Sequence, residues 1–351
     1  MSARKIATIN DVARLAGVSI TTVSRAMNGT GPVRADVKTR VEEAAAALGY
    51  IPARAAQMLS RQRSHTLGAI IPTLDYSIFA RKIDAFQRQA ERRGYNILIA
   101  VSDFDPEVEL RQCTNLIRSG AEGLLLEGGL HSPELYALLA SRHVPYVNTS
   151  TFDAAGPHPT IGFSNRAIAA KATQYLLDLG HRRIGVMAAR TTFNDRASER
   201  IEGVRERLAR QGLELAEDCV VECRFVLADA RRAFRQLMAL ADPPTAIVCT
   251  NDQLALGGVL EAPHLGISIP GDVSIMGFDD LDWASHLQPS LTTMYVPTAE
   301  IGHAAADFLV GRLEGGDPAG RVEIDVDLIV RESTAPARRG RLSPQERQAR
   351  P

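Results

Sequence analysis

The chain is poor in aromatic residues, which make up 5% of its 351 residues, with one tryptophan. It has no apolar run of the roughly 18 to 20 residues that a membrane span needs, so no membrane partner is expected. Its first residues, MSARKIATIND, carry two basic side chains with no apolar core behind them; no secretory signal is expected, and the expected compartment is the cytoplasm. Cysteine is scarce: Cys113, Cys219, Cys223 and Cys249. Cys219 and Cys223 bracket an apolar, strand-like run with no histidine cluster nearby, which points to buried thiols in a reducing compartment and no metal site. Signatures of catalysis are missing too. The first strand-like run, LGAIIPTL, leads into DYSIF with no glycine-rich turn, and the glycine pair at 128 and 129 is not a dinucleotide fingerprint. Neither a nucleophile elbow nor a zinc-binding helix motif occurs. The expectation is a protein that is not an enzyme, with no catalytic residue and no cofactor.

What is present is unevenly spread. Net charge is −1, yet residues 1–63 hold ten Lys or Arg against four acids, a balance of +6, which leaves −7 for the rest. A basic head on an acidic body suits a polyanion partner for the head alone, although a solvated helix surface has the same charge. A chain of this length usually forms two or three folding units.

The head reads as three helices. Thr8 with Asp11 three residues on resembles a capping box and opens a helix over 9–16. Gly17 ends it in a left-handed turn, and Ser19 caps a second helix over 20–28. In that second helix Val23, Ala26 and Met27 face inward against Val12 and Leu15, leaving Ile20, Thr21, Ser24, Arg25 and Asn28 outside. A third helix over 35–48 buries Val37, Val41, Ala44, Ala45 and Leu48. Two helices joined by about three residues, with a third behind them, describe a helix-turn-helix unit. A hairpin that binds protein has the same outline.

Beyond a proline-broken connection at 50–64 the pattern changes. LGAIIPTL, YNILIAVS, GLLLEGG and VPYVNTS read as buried strands separated by helical runs such as 80–93 and 106–119. The alternation resumes with RRIGVMAA, TAIVCT and VSIMGF. Apolar strands alternating with helices imply parallel sheets covered on both faces, here in two similar lobes with a cleft between them. The last stretch, 336–351, has five arginines, one glutamate and few apolar residues, and is expected to be disordered; it contains no leucine heptads.

TINDVARLAGVSITTVSRAMNG, then LGYIP, DLGHRRIGV, TNDQLALG, LGISIPGDVSIMGFDDLDWA and PSLTT, occur in that order, and the chain thereby resembles the lactose-repressor family of bacterial regulators from Thr8 to about Ser333. The resemblance implies an α/β protein with a helix-turn-helix headpiece (1–50), a hinge helix (51–63), and a two-lobed domain like periplasmic sugar-binding proteins (64–335). Its lobe crossovers are expected near 163, 292 and 323. The implied activity is repression by a homodimer on palindromic operator DNA, controlled by a small effector in the cleft. The second lobed part alone would also suit a transport-type sugar binder, which the headpiece argues against.

By the same resemblance Ile20 and Thr21 read base edges and Arg25 contacts a base or phosphate. An arginine can pair bidentately with guanine, and a threonine can bond a base or meet a thymine methyl. Thr8, Ser19, Ser24 and Asn28 would hold phosphates. Arg34 replaces a usual serine cap and can reach a phosphate. Leu59 matches a hinge leucine wedged into the minor groove, but Ala53 and Gln57 replace a usual Asn and Arg beside it. For the cleft, Phe79, Arg200, Phe225, Asn251 and Asp279 match effector-lining positions. Asp279 ends a predicted strand, where ligands sit in open α/β sheets; its carboxylate can accept from two hydroxyls and Arg200 can donate to a ring or carboxylate oxygen, or the two can simply brace one lobe. Ser150 and Ser164 replace common aspartates, and Asn194 replaces the arginine of the purine-binding branch, which argues against a purine. Arg196 and Arg224 nearby admit a sugar acid as well as a neutral sugar.

Overall fold

A computed structural model describes residues 7–28, 31–50 and 63–337, in two compact units that divide after His65. The expected hinge contacts at Ala53, Gln57 and Leu59, and the tail from 338 on, lie outside the described residues.

In the first unit the amide and hydroxyl of Thr8 both donate to Asp11 Oδ2, at 3.0 and 2.7 Å, and start α1 (Ile9–Ala16). Gly17 takes a left-handed φ of 65°, and Val18 N reaches back to Ala13 O at 3.1 Å to close the helix end. Ser19 Oγ accepts from Thr22 N at 3.1 Å and caps α2 (Ile20–Asn28). With α3 (Ala35–Leu48) these helices enclose Val12, Ala13, Ala16, Val23, Ala26, Val41, Ala44 and Ala45. Most of that core is alanine, so the helices pack closely and the larger side chains fall at its rim. Leu15 and Leu48 were expected inside, but they are 57% and 37% exposed. The inward stripe of α1 runs through Val12, Ala13 and Ala16, and Leu48 is the last residue before the turn at Gly49.

The second unit holds two sheets. β1 (Thr66–Ile71), β2 (Asn96–Val101), β3 (Gly123–Glu127), β4 (Tyr146–Thr149) and β5 (Thr160–Gly162) alternate with α4 (Ser77–Arg92), α5 (Pro106–Arg118) and α6 (Pro133–Ser141). After α7 (Asn165–Asp178), the strands β6 (Ile184–Ala189), β7 (Val220–Cys223), β8 (Ala246–Cys249), β9 (Ser274–Asp279) and β10 (Thr292–Tyr295) alternate with α8 (Asp195–Ala209), α9 (Leu227–Met238) and α10 (Asp252–Glu261). Then come α11 (Thr298–Leu313), β11 (Arg321–Glu323) and β12 (Asp327–Ile329). The sheet orders are β11-β5-β4-β3-β1-β2 and β12-β10-β9-β8-β6-β7. All neighbours are parallel except β12, which runs antiparallel to β10. β2 is an edge strand that its flanking helices cover only in part, and Ile99 is 43% exposed.

The chain changes lobe after Gly162, after Tyr295, and between Glu323 and Asp327. Thr292, near which the second crossing was expected, still pairs with Met276, because β10 continues to Tyr295. Buried Phe163, Val296, Ile324 and Val326 carry the three passages and belong to the apolar core shared by both lobes. Pro336 and Ala337 are not part of a loose tail: Ala337 N donates to Leu179 O at 2.8 Å. Among the described residues no helix is long and apolar enough to cross a membrane.

Candidate functional site

On α2, Ile20, Thr21, Ser24 and Arg25 recur at helical spacing on one face. Ile20 is 49% exposed, and Ser19, Thr21 and Arg25 are exposed as well. Apolar, hydroxyl and guanidinium groups therefore point outward from one short helix. Ser24 is half-buried and accepts from Asn28 Nδ2 at 3.2 Å. Asn28 itself is 6% exposed, buried where an outward position was expected. Arg34 makes no cap; its guanidinium bonds Asp36 at 3.1 and 3.2 Å and stays in solvent. Thr8 and Ser19 keep exposed positions, although both hydroxyls also serve helix starts.

In the second unit a cavity of about 50 Å3 lies where the carboxyl ends of both sheets meet, lined by Glu127, Ser150, Ala189, Thr250 and Asp279 at or just past their strands. Phe79, Asn194, Arg196, Arg200, Phe225 and Asn251 line it as well, so the sequence-derived cleft residues come together at one place. Their side chains are not equally free. Asn194 caps α8, accepting from Ala197 N at 3.4 Å and donating to Arg190 O at 3.1 Å. Asn251 caps α10 through Leu254 N at 2.9 Å. Arg224 is an exposed arginine that pairs with Asp229 at 2.7 Å.

Arg200 and Asp279 do not brace each other directly. Arg200 Nε donates to Asn165 Oδ1 at 2.9 Å, another guanidinium nitrogen donates to Thr250 O, and its Cζ lies 4.6 Å from the centroid of the Phe278 ring. Asp279 instead accepts from the Tyr76 hydroxyl, which comes from the other lobe. Burial pushes the Asp279 carboxyl up to about 6, against the pull of Arg200 and Tyr76. Burial and then Asp279 raise the Tyr76 phenol well above its usual value, and burial lowers both Arg196 and Arg200. Asp279 and Ser150 sit at φ 115° and 60°. Such backbone costs on the order of 1 to 3 kcal/mol per residue and persists where surrounding structure holds it.

Tyr76, Lys82, Phe104, Glu127 and Asp252 belong to this region and were not picked out from the sequence. Lys82 is 1% exposed, contacts Glu127, and donates to Ser150 Oγ at 2.9 Å and Thr149 Oγ1 at 3.2 Å. Burial, then the nearby Arg196 charge, pulls its ammonium well below the ordinary lysine range. Glu127 is also 3.7 Å from Arg196 Nε, so one carboxylate of the first lobe serves two cations from different lobes. The glycine pair makes this possible: a Cβ on Gly128 would clash with Arg196 Nη1, and Gly129 N donates to Asp195 Oδ2 at 2.7 Å. Asp252 accepts from Thr293 Oγ1 at 2.6 Å and Leu281 N at 2.8 Å, fixing the turn that presents Asp279. The signal for Lys82 was a charge at helical spacing with Phe79 and Phe86. For Glu127 it was an acid ending an apolar strand, as at Asp279.

The chain matches the family model for bacterial regulatory proteins of the lacI family over residues 8–53, and the periplasmic binding protein-like domain over 173–334. It is 32% identical over 330 residues to the HTH-type transcriptional repressor CytR of Escherichia coli (strain K12), covering 93% of this chain and 96% of that protein. The chain belongs to the LacI family. Among solved LacI-family structures it resembles the lac repressor dimer bound to operator and the anti-inducer ONPF, with a TM-score of 0.84 at 27% identity, covering 94% of this chain and all of that one (100%). It also resembles the transcriptional regulator CelR in complex with cellobiose, with a TM-score of 0.69 at 28% identity, covering 93% and 99%. As a LacI-family member the chain is a DNA-binding transcriptional regulator of the repressor type under effector control, not an enzyme.

Proposed function

We propose that this regulator acts in the cytoplasm as a homodimer on a palindromic operator and responds to a sugar or sugar acid held between its lobes. The carrying observation is the outward set of Ile20, Thr21 and Arg25 on a helix of a head with a charge balance of +6. Arg25 and Thr21 read base edges, Ile20 takes apolar contact, and Thr8, Ser19 and Arg34 contribute backbone contacts that set register. A twofold protein meets a twofold site. The exposed apolar edge of β2, where Ile99 stands clear and Ile97 and Leu98 are half-buried, supports a partner of the same chain.

The cleft reading rests on chemistry. Buried Arg200 and Asp279 offer a donor and an acceptor beside the aromatic faces of Phe79 and Phe225, which suits a ring with hydroxyls on its edge and C–H groups on its face. Arg196 admits a carboxylate on that ring. Cellobiose is the ligand named for CelR, which supports a carbohydrate here. Ligand binding changes the angle between the lobes and thereby operator affinity, with a coupling of about 1 to 3 kcal/mol.

The test uses the full chain. An operator selected from random DNA is titrated by fluorescence anisotropy, with and without cellobiose, glucose, gluconate and glucuronate. A preferred palindrome and a change in its affinity with one of these compounds are expected. Asp279→Ala keeps operator affinity and abolishes that change. Binding without sequence preference, or an unaltered response in Asp279→Ala, removes the reading or moves the site.

A further inference from the structure

The cleft has two chambers. Beside the inner cavity of about 50 Å3 lies an outer one of about 600 Å3, and Tyr76, Phe104 and Phe225 belong to the walls of both. The Phe104 and Phe225 rings stack at 5.7 Å, 7° from parallel, and Tyr76 lies 5.3 Å from Phe225. Phe104 follows β2 in the first lobe, while Phe225 follows β7 in the second. The partition between the chambers is therefore an aromatic contact from lobe to lobe.

Volume decides what each chamber can hold. Ligand pockets usually run to about 300 to 1,000 Å3. The inner cavity, which has the buried polar groups, is far below that range, and the outer chamber lies within it. A sugar ring fits the outer space, with its C–H face on the stacked rings and its hydroxyls toward Asp103, Arg190 and Arg224 at the wall. Phe104, in the wall of both chambers, stands between that space and the inner cavity.

The backbone under Phe104 is specialised. Asp103 and Phe104 take left-handed φ values of 53° and 59°, and an aromatic residue rarely adopts that conformation. The turn is pinned on both sides: Ser102 N bonds Ile71 O at 3.0 Å, Asp103 N bonds Pro72 O at 3.0 Å, and Asp105 N bonds Ser102 O at 2.9 Å. With the loop fixed and the ring only half-buried, rotation of the Phe104 side chain is the movement open to it.

We propose that Phe104 is the gate of the cleft: its ring on Phe225 separates an outer chamber that receives a carbohydrate ring from the inner cavity that anchors it. The carbohydrate part rests on the effector reading above; the gate does not. Opening requires loss of one ring stack, and the ligand then replaces Phe104 as the surface covering Phe225.

Thiol labelling tests this in the full chain. Ala189 lines the inner cavity and is 2% exposed, and the native cysteines are all buried, so Ala189→Cys introduces a probe on a quiet background. Its reaction with a small charged methanethiosulfonate is timed in the parent and with Phe104→Ala, Phe104→Leu and Phe104→Tyr. The chain lacking Ala189→Cys is the control. Phe104→Ala should speed labelling at least about tenfold, or about 1.4 kcal/mol; Phe104→Tyr should match the parent, and Phe104→Leu should fall between. Thermal melts of each variant separate gating from unfolding, and Phe104→Leu keeps the question open to decision should Phe104→Ala fail to fold. Equal rates in all folded variants overturn the gate. Accelerated labelling alongside an operator affinity that no sugar alters keeps the gate and removes the effector reading.

Discussion

Tyr76 of the first lobe donates its hydroxyl hydrogen to Asp279 of the second, so a buried carboxylate of the cleft is also a tie between lobes. The tie joins two groups that burial shifts in the same direction, since each is harder to ionise than in water. A ligand hydroxyl that takes the place of the Tyr76 hydroxyl on Asp279 would exchange an interlobe bond for a ligand bond.

The titration of Asp279 has a sign. Folded Asp279 holds its proton to about pH 6, whereas an unfolded aspartate has lost it by about pH 4. Between those values the folded state binds more protons, so stability falls as pH rises from about 4 to about 6 and then levels off. The shift from 3.8 to about 6 corresponds to on the order of 3 kcal/mol. Asp252, also raised by burial and by Asp279, acts in the same sense. Denaturant unfolding across this range should show a shallower fall for Asp279→Asn than for the parent; parallel profiles would place the titration elsewhere.

Glu127 and Lys82 should not be equivalent. Glu127→Gln leaves two buried cations, Lys82 and Arg196, without their shared carboxylate, whereas Lys82→Met leaves Glu127 with Arg196 at 3.7 Å. Removing one member of a buried pair costs about 3 to 5 kcal/mol. Glu127→Gln is expected in that range and Lys82→Met below it. The double variant should lose less than the two losses added together. Urea titrations rank the three, and a larger loss for Lys82→Met would show that Arg196 does not stand in.

At the headpiece, Arg25→Ala should cost about 1 to 3 kcal/mol of specific affinity per half-site and leave the melting of the second unit unchanged. If 6 to 10 phosphates are engaged, affinity should drop about 10³ to 10⁵-fold between roughly 50 and 200 mM salt. Anisotropy titrations at several salt concentrations read both effects. Operator binding indifferent to salt would contradict a basic head held by phosphates.

Much of the headpiece was legible because its signals are local. Gly17 and Ser19 fix the turn, and the ends of α1 and α2 follow from them. Facing is less secure in a helix of eight or nine residues, where one position is a rotation of about 100°; Leu15 and Asn28 were misplaced for that reason. In the lobes, strand ends led to Asp279, and the same rule applied to GLLLE would have found Glu127. Lys82 was hidden because a charge on an apolar helix face makes sense only once Glu127 is beside it. Tyr76 and Phe104 lie next to or within loops, where periodicity says nothing of direction.

The weaving of the lobes also sets the order in which the protein can be completed. β5 pairs on one side with β4 and on the other with β11, whose residues Arg321–Glu323 are made more than a hundred residues later. α11, which covers the first sheet, is likewise encoded after the whole of β6 to β10. On the ribosome the first lobe is therefore a sheet with an open edge and one face covered by α4 alone until the second is synthesised. Such edges are templates for pairing with other chains, and the nascent protein has its greatest exposure to aggregation in that interval.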